Sequence, residues 1–395
     1  MSFQKILKNQ NNYRSNCVNL VPSENVMSDY AKSALSSDFG SRYFFYKPYE
    51  TESKISYEYF GSEYVAKMLS LGISLSKEIF NCNYASLYPL SGHLANQTII
   101  YSFCNSGDRI LCVDPDKGGY PGLTKTNLPN KHNLLVDYIP YDFPNNINLK
   151  ETEKLILQND YRLVYLSSAH TLFPEKVKEL KEIIRASGKK TLLIADVSHP
   201  LGLIAGKSFD NPLDNGADIM VGSTQKSFPG PQGGIILCNN KELIEKVDKA
   251  THFIALDNPH FHRIASLVCT LEEMKKYGNA YSKQTILNSK ALASCLDKAG
   301  MPIMYSHKNY TESHQFKIDL GSDIALFGKL LEKSNIIIDC SGRLGVNEMT
   351  RYGMKEDDMK TISSFISRIY NEGNAEEILK EVINFRMNFQ EVKYC

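Results

Sequence analysis

The sequence has no tryptophan, no hydrophobic run that could span a membrane and no cysteine pair at metal-ligand spacing. The missing tryptophan excludes nothing. Several of the nine cysteines lie in apolar runs, where a thiol behaves as a small hydrophobic side chain. The 45 basic residues balance the 44 acidic ones, so charge gives no reason to expect nucleic-acid or membrane binding. Residues 1–16 lack a signal-peptide core. We expect a reduced, cytoplasmic protein and assign no metal site.

Internal repeats and low-complexity tracts are also absent, and 395 residues allow two lobes with a sizeable core. Helical patterns alternate with short apolar runs that predict strands at residues 84–89, 109–113, 134–138, 161–168, 191–196, 217–224 and 235–240. This alternation predicts an α/β fold with a largely parallel sheet covered on both faces. A ligand site is then expected at the carboxyl ends of the strands.

The chain is predicted to divide into three parts. Residues 1–45 are expected to form an irregular N-terminal arm with one helix capped by Ser23 or Ser28. Residues 46–285 are expected to form the large domain. Residues 286–395 change character and predict a smaller C-terminal α+β domain, with the boundary inside a long helix.

Two apolar runs end in polar groups that suggest a cofactor site. The first ends in Asp196, with His199 three residues later, and the second ends in Ser223, with Lys226 before a Gly/Pro-rich turn. A desolvated lysine favours the neutral amine and can form a Schiff base. An acid on the ring nitrogen and such a lysine are what pyridoxal 5'-phosphate (PLP) needs. The ordinary alternatives are a solvated strand end for Lys226 and a helix cap for Asp196.

Three further segments follow predicted strands. Ser91, Gly92 and His93 stand where a strand turns into a helix, and free amides at a helix start bind anions. Tyr120 follows two glycines and could stack on a cofactor face. Ser168 ends another strand. Each alone also fits an ordinary role, such as an N-cap serine or a packed loop tyrosine.

The order of the blocks SEN, YFGSEY, SGHLAN, GGY, SAH, DVSH, STQK-x4-PQGG and RLG-x5-R resembles the serine hydroxymethyltransferase family of fold-type-I PLP enzymes. The blocks extend from about residue 18 to about residue 370. The resemblance implies the fold-type-I architecture, with a large domain around a seven-stranded, mostly parallel sheet. It also implies PLP on Lys226 and a homodimer with shared active sites.

The resemblance implies a role for each matching residue. The cofactor would be held by Ser91, Gly92, His93, Tyr120, Ser168, Asp196, His199, Ser223 and Lys226. The substrate would be held by Ser23, Tyr43, Tyr59 and Arg351, with Arg351 clamping the carboxylate through its planar fork. The neighbouring subunit would contribute Tyr59. The residues expected to take part in the chemistry are Lys226, Asp196, His199 and Tyr59.

Several positions depart from the family pattern. Phe45 stands where the family has its proton-handling glutamate, and Glu50, Glu52, Glu58, His199 and Tyr59 stay open as alternative bases. The segment 335–343 lacks the family's folate loop, so tetrahydrofolate binding is doubtful. Residues 256–259 replace the glycine-rich segment that reaches the partner's phosphate, and Gln232 replaces an arginine. His93 and Tyr120 replace a serine and a histidine.

Two of these losses lie on the folate side, and none lies at the amino-acid core. We therefore expect a PLP enzyme that acts at Cα–Cβ of a small β-hydroxy-α-amino acid such as serine or threonine. Retro-aldol cleavage or transfer of the glycyl unit to another aldehyde, without folate, is the leading interpretation. The alternatives are a folate-dependent hydroxymethyltransferase, another PLP reaction (transamination, decarboxylation, β- or γ-substitution) and a non-catalytic binding subunit. Retention of Lys226 and Asp196 argues against the last.

Overall fold

The structure is a computed structural model that describes residues 1–44, 59–143, 145–252 and 254–395. Contacts within the chain divide it into two compact units, one of Met27–Asn279 and one of Met1–Val26 with Ala280–Cys395. This division falls inside the long helix of residues 261–298. The three-part division at residues 45 and 285 stays a prediction.

The strands are short apolar segments, most of them buried. In chain order they are β1 (Val18–Asn19), β2 (Tyr84–Ser86), β3 (Arg109–Cys112), β4 (Leu135–Tyr138), β5 (Tyr141–Phe143), β6 (Asn146–Ile147), β7 (Tyr161–Leu166), β8 (Leu192–Asp196), β9 (Ile219–Ser223), β10 (Gly234–Cys238), β11 (Gln315–Lys317), β12 (Ile336–Ile337) and β13 (Arg343–Gly345).

The α-helices connect and cover these strands. They are α1 (Phe3–Ser15), α2 (Asp29–Leu35), α3 (Glu63–Phe80), α4 (Gly92–Phe103), α5 (Leu128–Lys131), α6 (Leu149–Gln158), α7 (Val177–Ala186), α8 (Leu201–Ala205), α9 (Lys241–Thr251), α10 (Phe261–Lys298), α11 (Ile324–Glu332), α12 (Asn347–Arg351), α13 (Glu356–Glu372) and α14 (Ala375–Arg386). Within the described ranges, none of these helices combines the length and the apolar character that crossing a membrane requires.

The unit of residues 27–279 is built around a seven-stranded sheet in the described part of the chain. Its strand order is β2-β10-β9-β8-β7-β3-β4. β10 is antiparallel to both of its neighbours, and the other pairs are parallel. The central strands are almost fully buried, as expected for strands covered on both faces. The predicted mostly parallel sheet is therefore confirmed, and the carboxyl ends of β3, β7, β8 and β9 share one edge.

The unit of residues 1–26 and 280–395 is a smaller α+β structure. Parallel β1 and β12 form one small sheet, and antiparallel β11 and β13 form another. Its hydrophobic core includes side chains from the end of α10, from α11 and from α13, among them Leu292, Leu331 and Ile366. Because β1 pairs with β12, the N-terminal residues belong to this unit.

The expectation of an irregular start is wrong for the first residues, which form α1. The hydroxyl of Ser2 accepts a hydrogen bond from the amide of Lys5 and caps the helix. No residue of α1 is buried. The helix was missed because its apolar residues Phe3, Ile6 and Leu7 are confined to its first half and the rest is almost entirely polar, so the periodic signal is short. The helix predicted after Ser28 is present as α2, with Ser28 as its N-cap.

Candidate active site

A cavity of about 240 Å³ lies at the carboxyl ends of the strands in the unit of residues 27–279. It is lined by Ser91, Gly92, His93, Asn96, Tyr120, Ser167, Ser168, Ala169, Asp196, Ser198, His199, Ser223, Gln225 and Lys226. Every residue that the sequence predicts for the cofactor site is among them. The structure thus brings together residues that are separated by up to 135 positions, from 91 to 226.

One wall of the cavity is the start of α4. Ser91 caps this helix, and its hydroxyl accepts a hydrogen bond from the amide of Leu94 at 3.1 Å. A Cβ on Gly92 would overlap Ser223 Oγ and would lie 3.0 Å from Ser198 Oγ. Only glycine therefore allows this backbone to pack against the neighbouring strand ends. Free amides at the first turn of α4 suit an anion such as a phosphate.

The substitution Gly92→Ala is expected to weaken PLP binding. The added methyl group overpacks a filled site, which costs about 1–3 kcal/mol, or about 5- to 150-fold in affinity. Titration of the apoprotein with PLP, followed by tyrosine fluorescence, measures the change in PLP affinity. The matched control is Gly328→Ala in α11, where the added Cβ would meet Ile338 at an ordinary 3.6 Å. Unchanged PLP affinity in Gly92→Ala would contradict the assignment of this turn.

Asp196 ends β8 and is held by two donors. The side-chain amide of Asn96 donates to Asp196 Oδ2 at 2.8 Å, and the backbone amide of Ser198 donates to Oδ1 at 2.9 Å. The hydroxyl of Tyr165 donates to Asn96 Oδ1, which fixes the orientation of that amide. These two N–H donors hold the Asp196 carboxylate in one orientation at the end of β8.

Lys226 lies on a closed loop after β9. The amide of Thr224 donates to the carbonyl of Gly233 at 3.0 Å, and the amide of Gly230 donates to the carbonyl of Thr224 at 2.9 Å. A Cβ on Gly230 would lie 2.8 Å from that carbonyl oxygen, so the loop needs glycine there. These bonds hold Lys226, which is half-buried, at the cavity.

Tyr120 is fixed to the neighbouring strand end. Its amide donates to the carbonyl of Ser167 at 2.7 Å, and its hydroxyl lies 3.0 Å from Nδ1 of His93. Burial raises the pKa of Tyr120, and the nearby Asp196 carboxylate raises it further. The phenol therefore stays neutral at physiological pH, and its ring offers a stacking surface at the cavity.

His199 follows β8 and is 3% exposed. Its backbone carbonyl accepts a hydrogen bond from the hydroxyl of Ser227, which follows Lys226 in the chain. This hydrogen bond connects the turn that contains His199 to the loop that contains Lys226. His199 and Lys226 line the same cavity.

Ser168 is connected to an acid that sequence reasoning missed. Its hydroxyl donates to Glu175 Oε1 at 2.5 Å, and the side chains of Asn145 and Tyr141 donate to the same carboxylate at 2.9 and 3.1 Å. Glu175 is half-exposed as a whole residue. Its carboxylate nevertheless lies deep among protein atoms, and this burial raises the pKa of Glu175 despite the three donors.

Sequence reasoning also missed Asn96, Ser167, Ala169, Ser198 and Gln225 in the cavity lining. Asn96 had a detectable signal, because it follows Gly92 by one helical turn in a helix that is otherwise apolar on that side. Ser198 and Gln225 lie inside blocks that the family resemblance includes. Ala169 also lies inside such a block, SAH, whereas nothing in the local pattern distinguishes Ser167 from an ordinary strand end.

These residues fit PLP. The turn at Gly92 allows an anionic group to approach the backbone, and Asp196 and Lys226 face the same cavity. Ser167 Oγ is buried and has no hydrogen-bond partner among the described residues, as expected for a group that awaits a polar ligand. PLP would be held by Ser91, Gly92, Asp196 and Lys226.

Two of the predicted substrate residues, Ser23 and Arg351, lie in the other unit. Arg351 ends α12, is fully buried and donates to the carbonyl of Tyr394. Ser23 is half-buried in a turn. The residues next to this turn contact the segment that precedes Arg351, because the Asn347 side chain donates to the carbonyl of Glu24. Their roles stay predictions.

The other two predicted substrate residues, Tyr43 and Tyr59, do not line the cavity. Their rings meet edge to face with centroids 5.3 Å apart. The hydroxyl of Tyr43 donates to Asp257 Oδ2 at 2.7 Å, and this bond raises the pKa of Tyr43 to about 12. Tyr59 is 43% exposed. Phe45 and the candidate bases Glu50, Glu52 and Glu58 lie outside the described residues.

Comparison with known proteins agrees with this geometry. The sequence model of the family "Serine hydroxymethyltransferase" matches residues 1–366. A serine hydroxymethyltransferase of Sulfolobus acidocaldarius is 37% identical over 99% of this chain and 93% of its own length. One of Pyrococcus furiosus is 36% identical over 97% and 93%. A solved L-threonine transaldolase of Pseudomonas fluorescens, 24% identical, superposes with a TM-score of 0.89 over 98% of this chain and 90% of its own. The predicted fold-type-I architecture is confirmed.

Proposed function

The chain belongs to the serine hydroxymethyltransferase family, and on this premise we propose that it acts on a β-hydroxy-α-amino acid without tetrahydrofolate. Family membership also confirms the predicted enzyme class, a PLP-dependent transferase or aldolase, and the predicted cofactor. The family supports a PLP-dependent reaction at the Cα–Cβ bond of serine or threonine. More specifically, we propose retro-aldol cleavage, with transfer of the glycyl unit to another aldehyde.

The observation that carries the proposal is the position of Lys226 and Asp196 in one cavity, at the ends of the adjacent strands β9 and β8. When bound, PLP serves as the electron sink for the negative charge that develops at Cα. Asp196 would bind the ring nitrogen of PLP, and its negative charge would favour the protonated form of that nitrogen. The role that the resemblance implies for Arg351 is to bind the substrate carboxylate, and a fixed carboxylate would select the bond that breaks.

The folate-independent part of the proposal rests on the segment from Asn335 to Arg343. In the structure this segment comprises β12, a short turn of residues 338–342 and the first residue of β13. Arg343 forms an ion pair with Asp339 at 2.8 Å, and the hydroxyl of Ser341 donates to the same carboxylate at 2.5 Å. Both charged side chains are less than 20% exposed. The short turn closed by these contacts supports the proposal that this segment does not hold a folate.

Threonine is expected to be cleaved to glycine and acetaldehyde at the same rate with and without tetrahydrofolate. Coupling acetaldehyde to an alcohol dehydrogenase measures this rate. In a parallel assay with serine and tetrahydrofolate, methylenetetrahydrofolate is expected to stay at background. Strong folate-dependent turnover of serine would contradict the proposal and would favour the activity named for the relatives in Sulfolobus and Pyrococcus. Release of carbon dioxide or a keto acid would contradict aldol chemistry.

We also propose that the protein is a homodimer with shared active sites. The support is that Tyr59 is exposed and does not line the cavity of its own unit. A tyrosine supplied by a second subunit is the arrangement that the family resemblance implies.

A further inference from the structure

We propose that Glu175 accepts a proton from the active site through Ser168 and so serves as a positioning residue for a hydroxyl group bound in the cavity. The inference rests on the proposed function. It answers a question that the sequence leaves open, because Phe45 occupies the position of the family's proton-handling glutamate. An acid behind Ser168 would supply the same function from another element.

The geometry of Glu175 is fixed by three donors from two elements. Asn145 sits at the turn between β5 and β6 with a φ of 60°. Its Oδ1 accepts from the amide of Leu172 at 2.8 Å, so its Nδ2 must point the other way, toward Glu175 Oε1 at 2.9 Å. Tyr141 OH donates to Oε2 at 3.1 Å. The carboxylate is therefore held in one orientation, with Oε1 also facing Ser168.

The direction of the Ser168 hydroxyl follows from this arrangement. A serine has one hydroxyl hydrogen, and Ser168 donates it to Glu175. Because that hydrogen points away from the cavity, Ser168 offers only lone pairs to a ligand. It can accept a hydrogen bond from a hydroxyl group in the cavity, either the ring hydroxyl of PLP or the β-hydroxyl of the substrate.

The proposed proton transfer needs no other reactant. The O–H bond of the bound hydroxyl breaks as a new bond forms between its hydrogen and Ser168 Oγ. The original Oγ–H bond breaks, and its hydrogen bonds to Glu175 Oε1. One proton leaves the ligand, one arrives on Glu175, and Ser168 is unchanged.

The surroundings of Glu175 favour proton uptake. A narrow space of about 30 Å³ behind Ser168 is lined by Glu175, Asp196 and the exposed Asp210. In the described part of the chain, the side chains that hydrogen-bond to the Glu175 carboxylate are Ser168, Asn145 and Tyr141, and none of these three is a cation. Lys176 follows Glu175 in the chain, but its amine donates to the carbonyl of Ile147. Burial among such groups raises the pKa of Glu175.

The test is the variant Glu175→Gln, which keeps the shape and loses the proton acceptor. Below the pKa of Glu175 the protonated acid cannot accept, so wild-type cleavage of threonine should fall as the pH is lowered. In Glu175→Gln turnover should be about 10²-fold lower and should lose this acid limb of the pH profile, the fall in activity at low pH. Tyr141→Phe removes one hydrogen-bond donor from the Glu175 carboxylate, which raises the pKa of Glu175. The acid limb of this variant should therefore move to higher pH.

Absorption spectra of the PLP-loaded proteins against pH, without substrate, separate the two sources of the hydroxyl. If the spectral titration changes in Glu175→Gln, the ring hydroxyl is the donor. If only the cleavage profile changes, the substrate hydroxyl is the donor. An acid limb and a spectral titration that are both unchanged in Glu175→Gln and Tyr141→Phe would overturn the proposal.

Covalent loading distinguishes this proposal from the proposed function. Borohydride reduction followed by mass spectrometry should show PLP on Lys226 in wild type and in both variants. Wild-type protein that does not load would contradict the proposed function as well as this inference. Protein that loads, cleaves threonine and keeps its pH profile in both variants would contradict only this inference. Melting temperatures within a few degrees of wild type exclude misfolding as the cause.

Discussion

The variant Lys226→Ala is expected to lose covalent PLP and to cleave threonine at least about 10³-fold more slowly than wild type. The side chain lies at the cavity on a loop closed by backbone hydrogen bonds, so its removal leaves the loop intact. The measurements are the absorption band of the purified protein near the visible edge, the mass after borohydride reduction, and threonine cleavage.

The control for this variant is Lys154→Ala. Lys154 lies on α6 in an exposed pair with Glu151 at 2.7 Å, outside the cavity lining. Exposed pairs contribute little to stability, so this protein should keep both the band and the activity. A Lys226→Ala protein that keeps the band and the reduced mass adduct would overturn the assignment of the lysine.

The second large effect is expected for Asp196→Asn, which should lower kcat/KM by about 30- to 4,000-fold. The substitution keeps an oxygen that can accept from the amide of Ser198 but removes the negative charge. An uncharged partner no longer keeps the ring nitrogen protonated, so the electron sink weakens while PLP stays bound. Steady-state kinetics together with PLP content measure the two effects separately.

Asp137→Asn is the matched control. Asp137 lies on β4 of the same sheet and pairs with Arg109 at 2.7 Å, away from the cavity lining. Its loss should leave kcat/KM within about threefold of wild type, because half-exposed pairs contribute at most about 1 kcal/mol. If Asp196→Asn behaved like this control, the carboxylate would have no role in the chemistry.

The predicted sheet and its ligand edge came from strong local signals. Runs such as those of β8 and β9 are apolar along their whole length and end abruptly in Asp196 and Ser223, so their ends could be located within a residue or two. The carboxyl ends of parallel strands lie at the same edge of a sheet, and this rule alone predicts that Lys226 lies near Asp196. The helix start predicted at Ser91 places a third polar group at the same edge.

Other features carried no such signal. The bond between Ser168 and Glu175 depends on how an irregular loop folds back, and no period of 2 or 3.6 residues marks it. Asn145 contacts the same acid from a hairpin 30 residues earlier, a distance that local patterns do not bridge. The helix α1 was missed because propensity and one cap, not burial, define it.

The contact between Arg351 and the carbonyl of Tyr394 has a practical consequence for handling this protein. The guanidinium of Arg351 donates to a peptide group 43 positions later in the same chain, so a substrate carboxylate in the role proposed above would compete with that peptide group. A purification tag after Cys395 would follow Tyr394 by one residue and could disturb this contact with Arg351. A tag ahead of Met1 would precede the N-cap Ser2 of α1, a helix that has no buried residue to disturb.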